Sequence, residues 1–457
     1  MIEDNLSPLK VAQSPLVRTP VPGPRSRALV ADESPYIAPG LQSIATLSGL
    51  AVARAEGSLI EDVDGNQFVD LAAGICVNAL GHAHPRYREI LKQQIDEVTV
   101  GSFTTARRAG ALKKIASHTP PGLDRIQLYS GGTEAVEAAM RLAKSATKKY
   151  EFLSFWGGFH GKSAGTLSLI GDGTKNGLGP SLPGTFHAPY ADCYRCPLKM
   201  QYPSCGLACA EFADQVIRRS TTGALAAILV EPIQGTAGNV IPPRDFLPAV
   251  HEIAKRHGAL LIADEMITGF GRSGRWFGVE HSGVVPDVMT IGKGLGAGFP
   301  VSGLVSTDAL TRSAPWGNPS GSSSSYGGNP LAGAAAYASV SIIEDEHLVE
   351  NSATVGAWML ARLREIEERH PLIGHVSGEG LLIRVELVKD RATREPLERS
   401  TCARLFQKCL ERGVIGMWYS PHVRINPALT IDSATAGIAL DLFDEALGEL
   451  EREEGRR

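Results

Sequence analysis

Residues 286–300 read PDVMTIGKGLGAGFP, a short apolar run followed by one lysine, Lys293, in a turn of small residues. The run is typical of a β-strand, and its small neighbours leave the lysine amine accessible. A desolvated lysine amine is a nucleophile that forms Schiff bases with aldehydes, pyridoxal phosphate (PLP) above all. The stretch therefore predicts a strand that ends in a carbonyl-binding lysine.

Two other glycine-rich motifs do not fit this stretch. A Walker A loop needs Ser or Thr directly after its lysine, but Gly294 follows Lys293. A dinucleotide-binding fingerprint needs a helix after its third glycine, whereas Phe299 and Pro300 follow here. The sequence therefore favours neither nucleotide site.

The composition is typical of a soluble enzyme with a large core. The chain has 457 residues, of which 43% are hydrophobic and 21% charged, and its net charge is −4. This length allows two domains, and the weak negative charge argues against nucleic acid or an anionic membrane as a partner. No apolar run approaches the length of a membrane span, and the Pro- and Ser-rich N-terminus does not read as a secretory signal. We therefore expect a cytoplasmic protein.

Apolar, strand-like runs alternate with helical patterns between residues 111 and 306. The runs are residues 126–129, 152–155, 225–230, 260–263 and 288–291, and the helical patterns include residues 133–148 and 246–257. Such alternation predicts an α/β fold with a mostly parallel sheet covered by helices. Ligands of such sheets gather at the strand ends, where loops carry the chemistry.

The flanking segments have a different pattern. Residues 62–70 read as a hairpin with its turn at Asp64 and Gly65, and residues 433–454 read as an acidic amphipathic helix. These segments predict a second, smaller domain. The predicted boundaries are an arm at 1–35, which we expect to be flexible, the small domain at 36–85 and 336–457, and the large domain at 86–335.

Three short motifs can hold the phosphate, the ring nitrogen and the ring face of PLP. Residues 131–133 (GGT) lie between a strand and a helix, where backbone N–H groups and the helix dipole favour an anion. Asp264 ends an apolar strand, and a carboxylate there can keep the pyridine nitrogen protonated. Phe159 and His160 offer an aromatic face beside glycines. Each motif also has a plainer explanation: a capped turn at Thr133, a loop-facing Asp264, and core packing of Phe159 with a structural His160.

Seven cysteines, an odd number, fit a reducing compartment better than a disulfide framework. Four of them are grouped, at Cys193, Cys196, Cys205 and Cys209. Zinc or an iron–sulfur cluster accepts four thiolates, but only the first pair has the C-x-x-C spacing of a zinc ribbon. The sequence leaves open whether the group binds a metal or is a set of buried thiols, and we assign no metal site.

In combination these motifs resemble the class III aminotransferases, PLP enzymes of fold type I that are also called ω-aminotransferases. The similarity covers nearly the whole chain from about residue 36. It is carried by DG at 64–65, GI at 74–75, GH at 81–82, HP at 84–85, GTEA at 132–135, FHG at 159–161, EPIQG at 231–235, DEMITG at 264–269, Lys293 and YGGNP at 326–330. The resemblance implies a seven-stranded, mostly parallel sheet in the large domain, and a smaller α+β domain.

The resemblance also implies a role for each matching residue. Lys293 binds the cofactor aldehyde and moves a proton, Asp264 pairs with the pyridine nitrogen, and Glu231 is an acid near the cofactor. Cofactor contacts are expected from Gly131, Gly132, Thr133, Phe159, His160, Met266, Ser324 and Ser325. Ser325 matches a residue that reaches the phosphate of the neighbouring subunit, which implies an obligate homodimer. Substrate contacts are expected from Ile75, Cys76 and Arg424, and a guanidinium suits an α-carboxylate because it donates two parallel hydrogen bonds.

Two residues depart from the family pattern. Thr236 stands where glutamate-using members often have a Glu that pairs with the arginine, and Ile267 stands where the family has a Gln beside the cofactor. Thr236 therefore weakens an assignment as an ornithine or 4-aminobutyrate enzyme. We predict a transaminase that moves nitrogen from a primary amine remote from any α-carboxylate (an ω-amino acid, a diamine or an amino sugar) to pyruvate or 2-oxoglutarate. The Ala-, Gly- and Arg-rich composition hints at secondary metabolism.

Two other functions remain open from the sequence. Racemases, epimerases and aminomutases of the same family return the proton to carbon without releasing a keto product. A non-catalytic, cofactor-binding regulator is disfavoured by the joint presence of Lys293, Asp264 and Arg424, and by the lack of a basic DNA-binding module.

Overall fold

The computed structural model describes Leu9 and residues 17–456, so residues 1–8 and 10–16 of the predicted arm at 1–35 lie outside the described residues. The strands are β1 Val52–Glu56, β2 Leu59–Asp62, β3 Gln67–Asp70, β4 Arg125–Tyr129, β5 Glu151–Phe155, β6 Thr185–Ala188, β7 Leu225–Val230, β8 Leu260–Asp264, β9 Val288–Ile291, β10 Ser302–Ser306, β11 Ile373–Glu379, β12 Leu382–Asp390, β13 Glu395–Pro396, β14 Val414–Ile415 and β15 His422–Ile425. The α-helices are Pro24–Glu33, Ser43–Ser48, Ala73–Cys76, Pro85–Glu97, Ala106–His118, Gly132–Thr147, Ala164–Ser168, Ala208–Ser220, Phe246–Arg256, Asp308–Thr311, Pro330–Asp345, Leu348–Arg369, Arg399–Glu411 and Ser433–Glu453. Each of these described helices is too short or too polar to cross a bilayer.

The chain divides into two compact units. The large unit is Arg86–Glu350, and the small unit contains the described residues of Met1–Pro85 and Asn351–Arg457. Each unit has its own sheets.

The large unit contains a seven-stranded sheet in the order β4-β10-β9-β8-β7-β5-β6. The five strands from β9 to β6 run parallel, whereas β10 is antiparallel to both of its neighbours. The predicted α/β fold with a mostly parallel seven-stranded sheet is therefore confirmed.

The central strands are apolar because helices cover both faces of the sheet. All six residues of β7, LAAILV, are buried, which is the pattern of a strand without a solvent-facing side. The helix Phe246–Arg256 buries Phe246, Val250 and Ile253 along one stripe, at the spacing of an amphipathic helix. Gly258 follows with a φ of +57°, a left-handed conformation that glycine adopts without strain.

The carboxyl ends of the parallel strands define one edge of this sheet. Adjacent strands β7, β8 and β9 end at Val230, Asp264 and Ile291. The residues at and after these ends are Glu231, Asp264 and Lys293, three of the residues singled out from the sequence. The topology therefore brings residues far apart in the chain to one edge, as expected for an open parallel sheet.

The small unit contains two four-stranded sheets. One has the order β1-β2-β3-β14, and the other contains β11, β12 and β13 with β15 paired to β12. β2 and β3 form the predicted antiparallel hairpin, and Gly65 in its turn has a φ of +84°. The described part of the arm is anchored to this hairpin, since Asp64 accepts hydrogen bonds from the backbone N–H groups of Arg25 and Ser26 at 2.8 Å.

Truncating Phe443 should destabilise the small unit. Phe443 is fully buried in the helix Ser433–Glu453 and stacks on Trp418, with ring centroids 5.0 Å apart. Phe443→Ala should lower the free energy of unfolding by about 3–5 kcal/mol, because it leaves a cavity beside the indole. Chemical denaturation measures this change. The control Tyr36→Ala, at a side chain 89% exposed, should change stability by less than about 0.5 kcal/mol, and equal effects of the two variants would contradict the prediction.

Candidate active site

Lys293 begins a short 3-10 helix directly after β9 and Gly292. Its φ of +44° is unusual for a residue with a side chain, and such strain persists only where the surrounding structure imposes it. Gly292 is required by packing, because a Cβ there would lie 2.4 Å from the Met266 sulfur. The backbone around Lys293 is thus held in a strained conformation by its close neighbours.

Asp264 is the last residue of β8 and lies opposite Thr290 of β9. Its Oδ1 accepts a hydrogen bond from the Thr290 hydroxyl at 2.9 Å, and its Oδ2 lies 2.7 Å from His160 Nδ1. The side chains of both Asp264 and His160 are 1% exposed. Burial opposes ionisation of the carboxyl, but the hydrogen bond and charge of His160, with Thr290 and the charge of Lys293, hold the pKa of Asp264 below its usual value.

His160 and Asp264 form a buried ion pair. Burial alone would lower the pKa of His160, but its hydrogen bond to Asp264 and the nearby carboxylates raise it above the ordinary value. The raised pKa favours a protonated His160 beside the carboxylate, and both side chains are buried, where charges interact strongly. The pair keeps Asp264 ionised and fixes the orientation of its carboxylate.

Glu231 follows β7 and is also buried. Its two oxygens accept hydrogen bonds from the backbone N–H groups of Phe159 at 2.9 Å and Gly235 at 3.0 Å. Burial raises the pKa of Glu231 to about 7, with the His160 charge opposing and the Asp264 charge adding to this rise. Glu231 thus ties the Phe159 loop to the end of β7.

The turn at residues 131–133 leads into the 16-residue helix Gly132–Thr147. No heavy atom lies within 4 Å of a Cβ placed on Gly131, so this side of the helix N-terminus is open. Gly161 approaches the same turn, since a Cβ there would lie 2.2 Å from Thr133 Oγ1. The GGT turn and the FHG loop are therefore in direct contact, beside backbone N–H groups suited to an anion.

Met266 connects these pieces of the site. A Cβ on Gly132 would lie 3.2 Å from its sulfur, and its backbone N–H donates to Asp264 Oδ1 at 3.2 Å. The structure thus brings together the predicted residues of five separate segments: Gly132, Phe159, His160, Glu231, Asp264, Met266 and Lys293.

Ser324 and Ser325 have different surroundings. The Ser324 hydroxyl donates to Glu134 Oε1 at 2.6 Å, and the Glu134 carboxylate also accepts from the Ser130 backbone at 3.0 Å. Ser324 is therefore tied to the first turn of the Gly132–Thr147 helix in its own chain. Ser325 and Tyr326 are exposed.

The predicted substrate residues Ile75, Cys76 and Arg424 belong to the small unit. Ile75 and Cys76 lie in the turn Ala73–Cys76, where every residue has a positive φ between 45° and 65°. Arg424 is half-buried on β15, opposite Arg384 of β12. The sequence does not single out Arg384, because the strand pairing that places it opposite Arg424 is not visible in the sequence.

Thr290 was also overlooked. It lies three residues before Lys293, where it reads as part of the apolar strand, yet its hydroxyl supports Asp264. The sequence does contain a signal for Thr290: it is a polar residue in an otherwise apolar strand. A buried hydroxyl needs a hydrogen-bond partner, so such a residue points to a polar neighbour.

The grouped cysteines border one small cavity in the large unit. Cys193, Cys196, Cys205 and Cys209 all contribute to its wall, and all seven cysteines are free thiols. Within the part of the chain that the structure describes, no three His, Cys, Asp or Glu side chains are arranged as metal ligands.

Two buried glutamates predict that stability depends on pH. Burial raises the pKa of Glu231 and of Glu265 from 4.5 to about 7. Between these pH values the folded chain keeps two protons that the unfolded chain has lost, so their contribution to the free energy of unfolding falls as pH rises. Glu231→Gln should reduce this fall, because only Glu265 then contributes. The shift in Tm between pH 5 and pH 7 measures it, with the exposed Glu89→Gln as control; a shift as large as in the unaltered protein would contradict the prediction.

Comparison with known proteins places the chain in a family. Residues 43–447 match the family model of the class-III aminotransferases. The chain is 32% identical over 417 residues to a leucine/methionine racemase from Thermococcus litoralis, which covers 90% of this chain and 93% of that protein. It is 34% identical over 453 residues to a 4-aminobutyrate aminotransferase from Mycobacterium tuberculosis, which covers 96% of this chain and 99% of that protein.

The similarity extends to solved structures. An amine transaminase from an uncultivated Pseudomonas species, determined in its PLP-bound form, aligns with a TM-score of 0.84 and 30% identity. The alignment covers 91% of this chain and 98% of that one. With this fold and this extent of similarity, the chain belongs to the class III aminotransferases, PLP-dependent enzymes of fold type I.

Proposed function

We propose that this protein is a PLP-dependent transaminase that moves an amino group from a primary amine remote from any α-carboxylate to an α-keto acid such as pyruvate or 2-oxoglutarate. The observation that carries the proposal is the buried Asp264–His160 pair, at 2.7 Å, close enough to Lys293 for the lysine charge to act on Asp264. A buried, ionised carboxylate near a lysine at the strand ends is the arrangement that PLP chemistry requires. Membership of the class III family supports the same conclusion.

The residues of the large unit fit PLP. The helix starting at Gly132 has an open N-terminus for a phosphate, and Gly161 lets the FHG loop approach it closely. Asp264 supplies a buried anion for a pyridinium, with His160 and Thr290 as its supports. When bound, PLP withdraws electrons from the amine carbon, so that a proton on that carbon can leave.

In this proposal the protein's own residues bind, orient and transfer protons. The Lys293 Nζ would accept a proton from the amine carbon in the first half-reaction and would deliver a proton to the keto-acid carbon in the second, so one base serves both half-reactions. Asp264 would keep a proton on the cofactor's ring nitrogen, and Phe159 and Met266 would hold the ring. In the small unit, Arg424 binds the keto-acid carboxylate, and Ile75 and Cys76 contact the substrate.

We also propose that the protein works as a homodimer in which Ser325 contributes to the partner's phosphate site. Large apolar side chains are exposed on the same unit: Phe103 is 84%, Tyr326 67% and Val100 58% exposed. Burying such side chains against a second copy is favourable, since apolar area leaves water. Light scattering at several protein concentrations tests this proposal, and a monomer at every concentration would overturn it.

Racemisation is the second candidate. It is favoured by the 32% identity to the leucine/methionine racemase over nine-tenths of both chains. A racemase of this kind would use the same lysine to return the proton to the opposite face of the amino-acid carbon. The two functions share every residue of the large-unit site, so the reaction must be measured.

One experiment separates the two candidates. The PLP-loaded enzyme is incubated with a single amine in deuterated water, without keto acid, and the cofactor spectrum is followed. A transaminase converts the cofactor to its amino form, and adding pyruvate or 2-oxoglutarate restores the first spectrum. An unchanged spectrum with deuterium entering the amine carbon would instead support racemisation. Neither change with any of a broad panel of amines would contradict both functions.

A further inference from the structure

The short 3-10 turn that begins at Lys293 is held by its own backbone hydrogen bonds. The N–H of Gly296 donates to the Lys293 carbonyl at 3.0 Å, and the N–H of Phe299 donates to the Gly296 carbonyl at 3.0 Å. Residues 294–297 are buried. A carbonyl oxygen has two lone pairs, so each carbonyl of the turn can accept one further hydrogen bond from a neighbouring element.

Ser339 supplies one such hydrogen bond. Its hydroxyl donates to the carbonyl of Gly294 at 2.7 Å. Ser339 is 0% exposed and lies in the helix Pro330–Asp345, most of whose residues are buried. A buried hydroxyl needs a hydrogen-bond partner, and this one finds it in the residue directly after Lys293.

Tyr87 supplies a second hydrogen bond from another helix, Pro85–Glu97. Its hydroxyl donates to the carbonyl of Gly296, 209 positions further along the chain. Burial raises the pKa of Tyr87, so the hydroxyl keeps the proton that it donates. Tyr87, Ser339 and the turn all belong to the large unit, where two helices distant in sequence hold the backbone directly after Lys293.

The backbone conformation of Lys293 needs such support. Its φ of +44° lies in the left-handed region, which is strained for a residue with a side chain and persists only where the surroundings impose it. Relaxation of this φ to the right-handed region, near −60°, would turn the side chain roughly 100° about its N–Cα bond. The direction of the amine, whose charge acts on Asp264, therefore depends on the strained turn.

We propose that Tyr87 and Ser339 are positioning residues for Lys293: their hydroxyls hold the turn after it and so fix the direction in which its amine meets the cofactor aldehyde. The inference rests on the proposed PLP chemistry of Lys293 and adds two residues that act through the backbone of the turn. It follows that each of these hydroxyls affects the reactivity of Lys293, whereas a similar hydroxyl elsewhere in the large unit does not.

The rate at which Lys293 captures added PLP tests the proposed role. Cofactor-free protein is mixed with saturating PLP, stopped-flow absorption follows the covalent step, and borohydride reduction with peptide mapping identifies the labelled residue. Tyr87→Phe and Ser339→Ala each remove one hydroxyl and should slow capture about 2- to 12-fold, the factor that corresponds to one hydrogen bond. The double variant should be slower than either single variant, because neither hydroxyl then holds the turn. An unchanged rate in either single variant, or a double variant no slower than the singles, would overturn the inference.

Ser306→Ala is the matched control, which separates this role from a structural one. Ser306 is also 0% exposed in the large unit, and its hydroxyl donates to the carbonyl of Asp287 at 2.8 Å. It lies opposite Val288, the first residue of β9, and so at the end of that strand away from Lys293. Its capture rate should equal that of the unaltered protein. Slowing as large as in Ser339→Ala would show that loss of any buried hydroxyl has this effect, and would overturn the inference.

The visible circular dichroism of the bound cofactor is a second readout. A chromophore that the protein holds in one direction gives a strong signal, so the signal at equal cofactor occupancy should fall in Tyr87→Phe and stay unchanged in Ser306→Ala. Tyr87→Phe keeps the aromatic ring, so it carries the test if Ser339→Ala does not fold. If PLP does not label Lys293 in the unaltered protein, the proposed function fails; if it does and the variants capture PLP at the same rate, only this inference fails.

Discussion

Lys293→Ala should reduce amine-dependent consumption of keto acid by about a thousandfold or more. The variant removes the amine that would hold the cofactor aldehyde and the base that would move the proton, and positioned acid–base groups contribute about 10²- to 10⁴-fold each. The coupled consumption of pyruvate with a reactive amine donor measures the loss. Borohydride reduction of the unaltered enzyme, followed by peptide mapping, should place the cofactor label on Lys293.

Lys148→Ala is the matched control for this variant. Lys148 also has a positive φ, +60°, and lies in the same unit, where its Nζ donates to the carbonyl of Ala314 at 2.6 Å. Removing its side chain tests whether loss of a lysine from a left-handed position lowers activity by destabilising the unit. Activity of Lys148→Ala near that of the unaltered enzyme is expected, and full activity of Lys293→Ala would refute the proposed function.

Asp264→Asn should lower kcat roughly 10²- to 10³-fold, the usual loss when one charged partner of the reacting group is removed. The amide has nearly the same size as the carboxylate but no negative charge, so it cannot keep a ring nitrogen protonated. His160 also loses the anion that raises its pKa. Steady-state kinetics with the absorption spectrum of the bound cofactor measure both consequences.

A second Asp–His pair, in which the carboxylate is buried, supplies the control for this prediction. Asp214, with a side chain 1% exposed, lies 2.7 Å from His257 Nε2 in the same unit. Asp214→Asn also removes the charge from an Asp–His ion pair, so it should destabilise the protein. The kcat of the folded variant should nevertheless stay within about twofold of that of the unaltered enzyme. Equal losses of kcat in the two variants would show that Asp264 acts only through stability, contrary to the proposal.

The strands were predictable where hydrophobicity alone defines them. The five runs identified from the sequence correspond to β4, β5, β7, β8 and β9, each within one residue at its ends. β6 and β10 were not identified individually. β6 is a four-residue edge strand, TFHA, with only its last residue buried. β10 pairs antiparallel with β4 and β9. The formation of both strands therefore depends more on pairing with neighbouring strands than on their own hydrophobic pattern.

The candidate site was predictable residue by residue, but its contacts were not. His160 and Asp264 are 104 positions apart, and their 2.7 Å contact exists because parallel strands end at one edge of the sheet. The support of Asp264 by Thr290 and the position of Arg384 opposite Arg424 follow from strand register. Side-chain hydrogen bonds across strands depend on register, which local periodicity does not encode.

The amino-acid sequence by itself determined the strand and helix pattern of the large unit, the lysine at the end of β9 and the family resemblance, because apolar periodicity and glycine-rich turns are local properties. Only the tertiary structure decided which carboxylates are buried, which histidine ionises with them, and which arginine stands beside Arg424. Burial and charge pairing are set by residues that are distant in the chain and adjacent in space, and these determine what each ionisable group can do.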